Sequence, residues 1–168
     1  SEVALRGEAG PTTAELVRCN YPGFHRLLTE GSLILLDDGR IQLEVIFSTL
    51  AELRCRVAVG GVLASRKGVN VPGIRLPIPF LDAQDISDIR FGVQQKVDFI
   101  AASFVGEPED VLRIREIVAE EDGEVAIISK IEAQFAVKNL IEIIAVSDGL
   151  MIARGDLGVE IPAAEVPI

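Results

Sequence analysis

Lys130 and Glu132 in the stretch IISKIE, and Arg154, Gly155 and Asp156 in MIARGDLGVEIP, are the residues whose types and spacing could do chemistry. Lys130 and Glu132 stand two apart at the end of an apolar run, so on a strand their side chains share a face. Asp156 follows a second apolar run, Leu150 to Ala153, where a second carboxylate could meet the first. Two carboxylates and one ammonium at neighbouring strand ends make a minimal site for a divalent cation and an anionic substrate: the acids hold the metal, and the lysine neutralises developing charge. Gly155 lets backbone come close to a ligand and offer N–H groups to an anion. Arg154 carries a fork of donors that suits phosphate or, the role we favour, holds Glu132 or Asp156 in place. A structural Lys–Glu pair beside a tight turn would have the same sequence, so composition and periodicity leave the choice open.

The elements that must position these residues alternate. From about residue 82, Asp82 or Asp85 caps a helix running to about Lys96, VDFIAASFV reads as a buried strand, and Pro108 fits the first turn of a helix through Glu121. EVAIISKIE is the next strand, AQFAVKNLIEIIAV the next helix and DGLMIARGD a further strand. Three near-continuous apolar strands between amphipathic helices are the pattern of parallel βα units. Ser103, Lys130 and Asp156 recur at roughly one βα repeat per step and fall at the carboxyl ends of their strands, the edge where (β/α)8 barrel enzymes build their sites. The fold class expected is α/β, a partial (β/α)8 TIM-type barrel of about three βα units. Three strands cannot close such a barrel, so the chain is a piece of a larger protein, or its sheet is open or completed by another chain.

Residues 1–71 read differently. SLILL, RIQLEVIF and LRCRVAVGGVLA are separated by Tyr21-Pro22-Gly23, Glu30-Gly31, Asp38-Gly39 and Gly60-Gly61, as in an antiparallel β module. Pro72, Gly73, Pro77 and Pro79 then make a stiff non-helical passage suited to a hinge, which sets the expected domains at 1–71, all β, and 72–168, the barrel segment. Within the β module, Asp37-Asp38-Gly39 is a hairpin turn. The run SRKGVN, with Arg66 and Lys67, either presents charge to a phosphate or is a solvated loop.

Composition narrows the functional classes. The 168 residues carry a formal net charge of −10, which argues against nucleic acid, because phosphate binding needs a basic face. Residues 1–72 hold eight basic and eight acidic side chains, whereas 73–168 hold eight and eighteen, so the acidity belongs to the βα half. No apolar run reaches the roughly 18 to 20 residues of a membrane span, and SEVALRGEAG lacks the basic-then-apolar order of a signal peptide, so a cytoplasmic location is expected. Cys19 and Cys55 form no zinc-type spacing, and the single histidine, His25, has no nucleophile beside it. Neither a Walker-type phosphate loop nor a dinucleotide fingerprint occurs.

ILLDDGRIQLEV, SRKGVNVPGIRLP, DISDIRFGVQQKVDFIAASFV, IISKIE and MIARGDLGVEIP, in this order and at these spacings, resemble the pyruvate kinase family over nearly the whole chain. The resemblance implies that residues 1–71 are the mobile lid inserted into a (β/α)8 barrel, with Pro72 and Gly73 at its return hinge. It implies phosphoryl transfer from phosphoenolpyruvate to ADP, giving pyruvate and ATP in the last step of glycolysis. Lys130 would stabilise the phosphoryl group in flight, and Glu132 and Asp156 would ligate Mg2+ or Mn2+. The backbone of Gly155 and Asp156 would hold the substrate carboxylate, and Asp38 and Lys67 would reach nucleotide phosphates and metal, with Arg154 and Ser103 in support.

The family also uses K+, whose ligands lie outside this chain, and it is homo-oligomeric, usually tetrameric. After Glu132 the family usually continues with Asn and an acidic-Gly pair, where this chain has Ala133, Gln134, Phe135 and Ala136, a departure that bears on the packing of the next helix. Gly106 stands where many members have Arg or another polar residue. The substrate-binding Thr, the remaining barrel strands and the regulatory C-terminal domain fall outside the sequence, so the isolated chain is expected to be inactive or nearly so. The alternatives are a degenerate truncated homologue that binds anions or partners, and a divalent-metal pyruvate-enolate lyase, which has no need of a β lid.

Overall fold

The structure is a computed structural model, and it describes residues 1–162 and 164–167. The chain divides into two compact units, Ser1–Leu76 and the residues from Pro77 onward.

The first unit is a six-stranded sheet with strand order β2-β1-β5-β4-β3-β6. Its strands are β1 (Glu2–Gly7), β2 (Leu16–Cys19), β3 (Leu33–Leu36), β4 (Ile41–Ser48), β5 (Leu53–Val59) and β6 (Val69–Asn70). Only β1 and β2 run parallel; the other pairs are antiparallel. Alternation sets what is buried: Ile41, Leu43 and Val45 of β4 face the core, while Gln42, Glu44 and Ile46 between them are partly exposed. Leu5, Ile34, Leu36, Leu53 and Phe24 complete a core in which Cys55 is also fully buried. Phe24 comes from a single 3-10 turn, Phe24–Arg26, and meets Tyr21 edge to face with ring centroids 6.5 Å apart. Gly7 ends β1 where a Cβ would collide with the Tyr21 carbonyl oxygen, so this strand must close on a residue without one.

The turn from β3 to β4 is the Asp37-Asp38-Gly39 stretch, and all three residues are left-handed, at φ 51°, 55° and 81°. Asp and Gly tolerate that region better than branched residues, which is why this dipeptide ends one strand and starts the next.

The second unit holds a three-stranded parallel sheet in the order β7-β8-β9: β7 (Phe99–Ala102), β8 (Ala126–Ile131) and β9 (Gly149–Ile152). Helix α1 (Ala83–Gln94) precedes β7, α2 (Pro108–Glu120) joins β7 to β8, and α3 (Gln134–Lys138) and α4 (Leu140–Val146) join β8 to β9. Asp82 caps α1 by accepting the Gln84 and Asp85 N–H groups, and Asp85 reciprocates on the Asp82 N–H. Pro108 opens α2, where its missing N–H costs nothing.

Ile127, Ser129 and Ile131 of β8 point to the helices and are buried, in a core with Ile114, Ile117, Val111 and Ile143. Ile128 and Lys130 therefore point to the other face, and the parallel register places Phe99 and Met151 on that face too, 63% and 46% exposed. Two readings of the sequence are corrected here. The helix expected after Glu132 is two short helices broken at Asn139. The strand expected through Asp156 stops at Ile152, and Arg154 begins a helix, α5 (Arg154–Glu160). Among the described residues no helix is long and apolar enough to cross a membrane.

Candidate functional site

The register of the parallel sheet carries the carboxyl ends of β7 and β8 to one place. Ala102 pairs with Ser129, so Ser103 comes level with Lys130. The Lys130 ammonium donates to Ser103 Oγ at 2.8 Å and lies 2.7 Å from Glu132 Oε1. Glu132 stands one residue past the end of β8, and its other oxygen, Oε2, accepts the Phe104 N–H at 2.7 Å. The carboxylate is 2% exposed, whereas the lysine side chain keeps 23% of its surface. A buried carboxylate without partners would be strongly disfavoured; here an ammonium and a backbone N–H hold one oxygen each. The lysine is the more exposed of the two, a cation at the rim backed by a fixed acid.

On the other side of β8, Lys130 pairs with Met151 and Ile131 with Ile152, and Ala153 donates its N–H to the Ile131 carbonyl at 3.2 Å. Arg154, Gly155 and Asp156 follow at the same edge of the sheet as the first turn of α5, and all three are exposed. Among the described residues no ion pair joins Asp156 to Lys130 or Glu132, and no group of three or more His, Cys, Asp or Glu side chains converges. Nor, among the described residues, does an ion pair or hydrogen bond join Arg154 to Glu132 or Asp156, so the locking role expected for it is not seen. The structure thus brings Ser103, Lys130 and Glu132 into contact and sets Gly155 and Asp156 on the neighbouring strand end. Two hard carboxylate oxygens are of the kind that suits Mg2+ or Mn2+, ions that commonly keep one or two protein carboxylates and take their other ligands from substrate and water.

In the first unit Lys67 reaches Asp37 rather than Asp38: its Nζ lies 2.8 Å from Asp37 Oδ1, and Arg40 approaches Oδ2 at 3.8 Å. The Lys67 ammonium, ahead of burial, which opposes it, and of Arg40, holds the Asp37 carboxyl below the usual carboxylate range. Asp38 is exposed at the tip of the turn. Arg18, Arg66 and Lys67 line a cavity of about 380 Å3 whose floor includes Val17 and Leu36.

Sequence reasoning missed Asp37 as the partner of Lys67, although the doubled acid of the turn offered both candidates. It also missed the Phe104 N–H, for which no residue type could have signalled.

A sequence model described as "Pyruvate kinase, barrel domain" matches residues 3–168. The chain belongs to the pyruvate kinase family. Pyruvate kinases of Staphylococcus aureus, among them those of strains USA300, NCTC 8325 and COL, are 48% identical over 158 residues, covering 93% of this chain. The chain spans 27% of the length of these relatives.

Proposed function

We propose that this chain is the lid and part of the (β/α)8 barrel of a pyruvate kinase, which transfers the phosphoryl group of phosphoenolpyruvate to ADP. The observation that carries the reading is the contact of Lys130 with Glu132 at 2.7 Å, at the carboxyl end of the middle strand of a parallel sheet, in a chain of this family. In-line phosphoryl transfer is mainly a problem of positioning and of neutralising charge on the migrating group. Lys130, held by Ser103 and Glu132, supplies a positive charge that need not reorganise as the reaction proceeds. Glu132 and Asp156 would hold Mg2+ or Mn2+, which when bound polarises the transferring oxygens and steadies the enolate left behind. The backbone N–H groups of Gly155 and Asp156 would receive the substrate carboxylate, and Arg154 supports that turn.

In the first unit, Lys67 and Asp38 meet the nucleotide phosphates and their metal, with residues 1–71 acting as a lid that excludes water. K+ serves as the monovalent cofactor, bound by residues outside this chain, and the parent enzyme is a cytoplasmic homo-oligomer. The family match favours neither the enolate lyase nor the degenerate binding module.

Calorimetric titration of Mg2+, then of phosphoenolpyruvate, into the wild-type chain and Glu132→Gln tests the assignment. Wild type should bind Mg2+, and the variant should lose at least tenfold in affinity, as removing a charged ligand from a buried site costs more than 1.4 kcal/mol. Equal affinities would overturn the metal role of Glu132.

A further inference from the structure

The loop after β7 is held by more than its own sequence. Phe104, whose N–H meets Glu132, is left-handed at φ 55°, a conformation unfavourable for a bulky residue that persists only where the surroundings enforce it. Asp110 in the first turn of α2 accepts the Gly106 N–H at 2.8 Å and the Glu107 N–H at 3.1 Å through one oxygen. From 33 residues along the chain, Asn139 Nδ2 donates to the Gly106 carbonyl at 2.7 Å. The peptide joining Gly106 to Glu107 is therefore gripped at both ends, its C=O by Asn139 and its N–H by Asp110. Glycine is the residue most free to turn, so without both grips this peptide would be the softest point of the loop. Val105, between Phe104 and Gly106, is fully buried.

Asn139 sits where α3 breaks into α4, with φ −101° and ψ 18°, and its side chain caps neither helix. Its amide is turned instead to the β7 loop.

We propose that Asn139 is a positioning residue for the site: by fixing the Gly106 carbonyl it keeps the Phe104 N–H on Glu132 Oε2, and so leaves Oε1 toward Lys130 and a divalent cation. The inference rests on the reading of Glu132 as a metal-binding carboxylate. Asn139 touches neither substrate nor metal; it acts through the loop.

The full 168-residue chain tests this with two measurements on wild type and on Asn139→Asp, which keeps the shape of the side chain but removes the donor. Amide hydrogen exchange by NMR should show Phe104 exchanging at least fivefold faster in the variant, while Ile100 and Ile127 in the sheet are unchanged. Mn2+ affinity, read by electron paramagnetic resonance, should fall about fivefold, the scale of one hydrogen bond. An unchanged Phe104 rate overturns the proposal. So does faster Phe104 exchange with Mn2+ affinity intact, and so does equal acceleration at Ile127, which would mean general loosening. A wild-type chain that binds no Mn2+ overturns the metal reading of Glu132 instead, and Phe104 exchange alone then decides whether Asn139 holds the loop.

Discussion

An ammonium 2.8 Å from a buried carboxylate is a strong local constraint, and Asp37 with Lys67 forms one at a turn where three consecutive residues are left-handed. Because the folded Asp37 carboxyl titrates below its unfolded value of about 3.9, its ionisation stabilises the fold above that pH, and the contribution disappears as the pH falls through the folded value. Asp37→Asn should lower the melting temperature more at pH 7 than near pH 2. A thermal scan at the two pH values checks this; equal losses at both would mean that the turn, not the charge, matters. At this scale the sequence was legible where period-two alternation decides, which is why Lys130 and Glu132 could be placed on one face. It was not legible where a backbone group or a distant amide decides: nothing local distinguishes Phe104 as a donor to Glu132, or Asn139 as a partner of Gly106.

Helices and strands were legible where their ends carry chemical signals. Asp82 and Pro108 mark the starts of α1 and α2, but α5 starts after Ala153, which has no capping oxygen, so the apolar run LMIA reads as continuing into Arg154. The break between α3 and α4 falls at Asn139, whose amide is engaged by the distant Gly106 carbonyl instead of capping α4, so the amphipathic pattern on either side reads as one helix. At the amino-terminal ends of β8 and β9, opposite the site, Asp148 accepts the Ile127 N–H at 2.8 Å and donates its own N–H to the Ile127 carbonyl at 3.0 Å. Arg115 of α2 joins them, donating to Asp148 at 2.8 Å and twice to the Val146 carbonyl. The Ile127 N–H first, and then Arg115, lower the Asp148 carboxyl, with burial opposing. Its stabilisation is thus present above about pH 4 and lost below, as the folded value is passed. Asp148→Asn should flatten the acid limb of a urea stability profile measured from pH 3 to pH 7 while leaving the neutral midpoint lower. An acid limb as steep as that of wild type would place the pH dependence elsewhere.

For the whole molecule, the division into an all-β unit and a βα unit follows from the change in hydrophobic period along the chain. The sheet of the second unit has β7 and β9 as edges and an apolar face bearing Phe99 and Met151. Open edges beside exposed apolar side chains promote aggregation. Phe99→Lys should therefore raise the concentration at which the chain stays monodisperse in light scattering; no change would mean that this face is not what limits solubility. In the first unit Cys55 lies fully within the core, and burial pushes its thiol up to about 11. Since the thiolate is the reacting species, this sulfur stays silent toward a disulfide reagent for as long as the six strands remain closed. Its labelling rate is consequently a built-in stopwatch for the opening of that core, ticking at a position that needs no engineered probe.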